Sequence, residues 1–171
     1  WRGPAAQQQN VMKTRNICHL VCAALMAAAC SAADEAGADL EKPVIASGAV
    51  ASPADCQVYH RGETVAVRYV FSDNVELGNY NIEVHNNFDH HSHSTSAGDC
   101  DFDPKKQPVR PWVYNRSFAI PDGSRRYEAK VDIDIPADID TGDYHFMVRV
   151  TDKAGWQQLK AVSIKITDGA Y

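Results

Sequence analysis

The chain has 171 residues and a mass of 18.8 kDa, room for one ordinary domain with appendages and short for two. Apolar residues make up 44% and charged residues 23%, a globular balance that excludes a wholly disordered chain. Three of the 17 basic residues (Arg2, Lys13, Arg15) and none of the 22 acids fall within 1–29, so the remainder carries 14 bases against 22 acids, a net −8 that offers nucleic acid no basic face.

Residues 1–11 (WRGPAAQQQNV) read as an upstream over-extension of the reading frame. Met12-Lys-Thr-Arg-Asn is a short basic start, and Ile17 to Ala29 is an apolar run of 13 residues. A bilayer span needs about 20 residues, so residues 12–29 are expected to be a signal peptide instead. The run ends in Ala27-Ala-Ala-Cys30, which is similar to a lipobox, with Ala27 where Leu is usual. Cys30 is accordingly the expected lipidation site, and the expected location is the cell envelope, as an outer-membrane lipoprotein facing the surface or the periplasm. Residues 30–41 are small, acidic and aperiodic, a flexible tether ahead of a domain at 42–168. Of five cysteines, Cys18 and Cys22 go with the signal and Cys30 takes the lipid. Cys56 and Cys100 remain, and in an exported chain they are expected to pair, at a gain of roughly 4 kcal/mol; the alternative is two buried thiols.

From Lys42 onward apolar residues recur at every second position. Val65, Val67, Tyr69 and Phe71 form one buried-face strand, and Tyr80, Ile82 and Val84 a second. Tyr127, Ala129, Val131, Ile133 and Ile135 form a third, Tyr144, Phe146, Val148 and Val150 a fourth, and Val162, Ile164 and Ile166 a fifth. Turn-forming clusters separate them, as in Ser72-Asp-Asn-Val and Asp152-Lys-Ala-Gly. With Pro43–Val50 in front, the pattern predicts an all-β, immunoglobulin-like β-sandwich of about seven strands. Thr141-Gly-Asp-Tyr144 has the look of a tyrosine corner. A long loop, Asn86–Pro111, follows Tyr80–His85 (strand C of that topology), and long loops in compact domains are commonly functional.

That loop is rich in histidine: four of the chain's seven fall within residues 85–93, at His85, His90, His91 and His93. Neutral imidazole suits Zn and Cu. In an immunoglobulin topology Tyr80–His85 and Tyr144–Val150 are antiparallel neighbours, so His85 and His145, both on the outward parity, are expected to stand across from one another with Cβ atoms about 4.5–5.5 Å apart. A loop histidine folding back would complete a three-imidazole site, with Asp89 as ligand or orienting group. His60 is read as structural. Asp99, Asp101 and Asp103 alternate as in a calcium loop but lack its Gly and terminal Glu. Trp112, Tyr114 and Trp156 read more readily as packing than as a sugar platform. No nucleophile, orienting acid and oxyanion hole are marked out.

The segments Leu77–His93, Ile135–Asp138 and Thr141–Trp156 resemble a family of Bacteroidetes-type lipoproteins with a single immunoglobulin-like domain and no assigned function. The resemblance implies the sandwich and the lipoprotein setting and supplies no activity. The residues therefore carry the functional expectation: a non-enzymatic, lipid-anchored module that captures, buffers or delivers Zn or Cu. Two other readings stand beside it. One is a surface module for a glycan or protein partner; the other is a copper-dependent metalloenzyme.

Overall fold

The computed structural model describes residues 38–46, 51–92 and 100–169. The signal segment and Cys30 expected from the sequence, most of the tether, and His93 lie outside the described residues. Asp39–Tyr171 form one compact unit, which holds every strand.

Eight strands and no helix are found among the described residues: β1 (Val44–Ala46), β2 (Gln57–His60), β3 (Thr64–Ser72), β4 (Leu77–Asn86), β5 (Tyr114–Ala119), β6 (Arg126–Asp134), β7 (Gly142–Asp152) and β8 (Gln157–Thr167). They form two sheets, one ordered β1-β3-β6 and the other β2-β8-β7-β4-β5. All pairings are antiparallel except β2 on β8. Period-2 alternation builds the β-sandwich directly. Val65, Val67, Tyr69 and Phe71 from β3 and Ala129 and Ile133 from β6 face Tyr80, Ile82, Val84, Tyr144, Phe146, Val148, Val150, Val162, Ile164 and Ile166 from the larger sheet, all buried.

Two details place the functional surfaces. Gly78 sits where the β4–β7 register shifts, and a Cβ there would lie 2.9 Å from the Asp152 carbonyl oxygen and 3.0 Å from that of Thr151. Glycine is what lets β4 approach the end of β7 so closely. Among the described residues β6 is an edge strand of the smaller sheet, as β1 is, and its solvent side carries Arg126, Glu128, Lys130, Asp132 and Asp134.

Tyr144 makes the bonds of a tyrosine corner. Its hydroxyl donates to the Asp140 carbonyl at 2.6 Å and accepts from the main-chain N–H of Trp112 at 3.2 Å. Tyr144→Phe would leave both groups without that partner, so a loss of about 1–3 kcal/mol is expected. Urea unfolding checks it: the midpoint should fall with an unchanged slope. Cys56 and Cys100 are joined in a disulfide, with Cα atoms 5.4 Å apart.

Candidate metal centre

β7 is buried on both faces from Gly142 to Val148. The even-numbered residues enter the core; Asp143 and His145 point to the opposite face, beneath the connection between β4 and β5. The described parts of this segment are tied down by many bonds. Asn87 donates its N–H to the Asp143 carbonyl at 2.8 Å, and Asp103 donates its N–H to Asp143 Oδ2 at 2.8 Å. Lys106 reaches the Thr141 carbonyl at 2.5 Å and lies 4.5 Å over the ring of buried Phe88. Gly142, at φ +121°, leaves the space that Phe88 and Lys106 fill, since a Cβ there would lie 3.1 Å from the Phe88 ring. Burial pushes the Asp143 carboxyl above its usual range, and the Asp103 N–H and Lys165 oppose that rise.

In the β4–β7 ladder His85 stands directly opposite His145, their ring centroids 5.5 Å apart. Immediately after β4 the chain turns at Asn87–His90, closed by the His90 N–H on the Asn87 carbonyl at 3.1 Å. His90 takes a left-handed conformation at φ 59°, and His91 is carried back over His85. The His91 ring stacks on His85 at 5.4 Å and meets His145 edge-on at 4.9 Å. Three imidazoles thus form one cluster on the outer side of the larger sheet.

Their hydrogen bonds assign the tautomers. His85 Nδ1 faces Glu83 Oε1 at 3.1 Å, and His91 Nδ1 faces Asp89 Oδ1 at 2.5 Å. A carboxylate only accepts, so each Nδ1 carries the proton, and in the neutral ring each lone pair is on Nε2. The hydrogen bond to His91 in turn holds the Asp89 carboxyl below its usual range. The two Nε2 atoms then face each other 3.2 Å apart. Two lone pairs at this distance repel unless a cation or a shared proton lies between them. Nitrogens held 2.0–2.1 Å from a tetrahedral ion are about 3.3–3.4 Å apart, close to the spacing seen. His145 Nε2 donates to the His91 carbonyl at 3.1 Å, which places the lone pair of its neutral ring on Nδ1.

The other residues singled out in the sequence lie elsewhere. His90 engages the Asp103 carbonyl at 2.9 Å and stacks on Phe102. His60, at the end of β2, bonds Thr167 Oγ1 at 2.8 Å. Asp103 pairs with Lys165 at 2.9 Å, and Asp99 lies outside the described residues. Trp112 is buried, whereas Trp156 occupies the β7–β8 turn, so the aromatic residues form no joint platform. Glu83 is the orienting group the sequence reading omitted; its signal was its place two residues before His85, on the same face of the strand. A cleft of about 290 Å³ opens beside the disulfide, lined in part by Phe102, Asp143 and Lys165, and the three clustered imidazoles do not border it. No helix among the described residues is long and apolar enough to cross a membrane.

A family model described as a domain of unknown function, DUF4625, matches residues 28–167, and the chain belongs to that family. No curated protein matches. Among solved structures, Spo0M, a sporulation control protein from Bacillus subtilis, is similar at 12% identity with a TM-score of 0.36. That match covers 78% of this chain, which spans about half (51%) of the Spo0M chain, and nothing functional is drawn from it.

Proposed function

We propose that this DUF4625 chain is an immunoglobulin-like, lipid-anchored module of the cell envelope that holds a Zn or Cu ion for capture, buffering or delivery, and that it is not an enzyme. The observation that carries the reading is the pair of Nε2 atoms on His85 and His91, 3.2 Å apart, each opposed to an Nδ1 that faces a carboxylate. Carboxylate–histidine pairs of this kind orient imidazoles toward metals in known sites, and Glu83 and Asp89 supply two of them. His145, whose ring meets that of His91 edge-on at 4.9 Å, is the proposed third ligand. His93 is the candidate for a fourth, and His90 is committed to Asp103. The lipid anchor is proposed on Cys30, from the residues that precede it.

The test is titration calorimetry of the chelator-stripped protein with Zn(II) and Cu(II). One ion per chain at micromolar affinity or tighter is expected, weakening on acidification because the ligands must bind the metal without their protons. Affinity no better than that of an unrelated histidine-containing protein would remove the proposal. A glycan or protein partner would instead bind with equal strength in the presence of chelator.

A further inference from the structure

A second group of ligand atoms gathers at the far end of β7, seven residues along the strand from His145 and so about 23 Å away. One carboxylate oxygen from each of Asp39, Asp73 and Asp152 lies within 4.8 Å of the other two. The three come from separate parts of the chain: ahead of β1, in the β3–β4 turn, and at the last residue of β7. Because β3 and β7 belong to different sheets, the group bridges the two sheets at one end of the sandwich.

One arm of each turn carboxylate is committed to main chain. Asp73 Oδ1 accepts the N–H groups of Val75 at 2.9 Å and Glu76 at 2.8 Å, and Asp152 Oδ1 accepts that of Trp156 at 2.8 Å. The other arms are sealed in. Asp152 is only 3% exposed, and among the described residues neither its Oδ2 nor Asp73 Oδ2 takes a hydrogen bond. No ion pair among the described residues includes Asp39, Asp73 or Asp152. Buried anionic oxygens need a hydrogen bond or a cation, and three like charges at this spacing repel one another until a cation joins them.

We infer that Asp39, Asp73 and Asp152 form a calcium site that ties the segment ahead of β1 to both sheets. The all-oxygen, triply anionic donor set is that of a hard cation. Ca²⁺ holds oxygens at 2.3–2.6 Å, so oxygens on opposite sides of it are about 4.6–5.2 Å apart, and the observed group fits inside that span. Mg²⁺ requires opposite oxygens near 4.1 Å and an almost ideal octahedron, which three carboxylates from three separate segments do not readily build. Water and main-chain carbonyls complete a sphere of six to eight oxygens. The site shares no residue with the imidazole cluster and stands or falls apart from it.

Trp156 provides a built-in reporter. Its indole N–H donates to the Asp39 carbonyl at 2.8 Å and its main-chain N–H to Asp152, so a lanthanide bound in place of calcium lies beside an aromatic donor. The experiment is calorimetry of the chelator-stripped full chain with CaCl2, paralleled by terbium emission excited through tryptophan. One Ca²⁺ per chain is expected in the 10⁻⁵–10⁻³ M range, at least tenfold tighter than Mg²⁺. Terbium should emit on binding, lose the signal when calcium displaces it, and emit far less in Trp156→Phe.

Asp152→Asn and Asp39→Asn should each weaken calcium at least tenfold. The Asp39 variant lies ahead of the first strand, where it cannot disturb the core, and circular dichroism verifies the fold of both. His85→Ala/His145→Ala should leave calcium affinity within twofold. No heat and no terbium emission at concentrations tenfold beyond the weak end of the range would overturn the site, as would calcium binding unchanged in Asp39→Asn and Asp152→Asn.

Discussion

The double variant His85→Ala/His145→Ala is expected to lower Zn(II) or Cu(II) affinity by more than about a thousandfold. One orienting group around a metal is worth roughly 10–100-fold, and a direct ligand more, so losing two of three clustered imidazoles exceeds the product of two such effects. The pairing is fixed by the β4–β7 ladder, where the two residues are direct partners, so no other side chain can slide into their places. Glu83→Ala should retain the ligand but lose the acceptor on His85 Nδ1, and affinity should fall about 10–100-fold. His90→Ala should change nothing, because that ring is held by Asp103 and Phe102. Calorimetry on the three variants gives the ordering, and a double variant that binds as the parent does would end the metal reading.

Loss of the disulfide should have the largest effect on stability. Cys56→Ser/Cys100→Ser reopens a loop whose ends are 44 positions apart, at a cost of about 4 kcal/mol in the chain-entropy model. Domains of this kind have only about 5–15 kcal/mol in total, and the melting point should fall by roughly 10–20 °C. Calorimetric melting of the oxidised and reduced protein checks it; a drop under about 2 °C would show that the rest of the connection holds without the bond. Local bonds support this segment too. Cys56 donates its N–H to the Ser163 carbonyl at 2.8 Å, while beyond Cys100 the Asp101 carbonyl and the Asp103 carboxylate receive Lys165 at 2.6 and 2.9 Å. Ser163 is the β8 partner of His145, so the crosslink fastens the descending limb close to the imidazole cluster.

Much of the sandwich could be read directly from the chain, because strands with one face in the core must alternate. β3, β4, β6, β7 and β8 each contain the run of apolar residues that named them. β2 and β5 carry little such signal. Gln57–His60 is four residues long with a single buried side chain, and Tyr114–Ala119 is an edge strand with no fully buried residue. The His85–His145 pair was accessible from parity and topology together. That a loop histidine would fold back was expected, but not that it is His91, because the turn that selects it depends on a left-handed histidine where a glycine would have announced it. The aspartate trio was the least accessible. Asp73 and Asp152 each look like ordinary turn residues, and Asp39 belongs to a stretch read as tether; only the folded chain places them together.

The open margin of the smaller sheet bears on how the molecule keeps company with itself. β6 is nine residues long, and an edge strand of that length, open among the described residues, invites a second copy to zip on by strand addition. Its solvent side alternates Arg126, Glu128, Lys130 and then two aspartates, a fringe of hydrated charge that a docking copy would have to strip of water. Such gatekeeping depends on the acids being ionised. Acidified or very saline solution, rather than heat alone, is therefore where fibrillar self-association of this protein would first be seen.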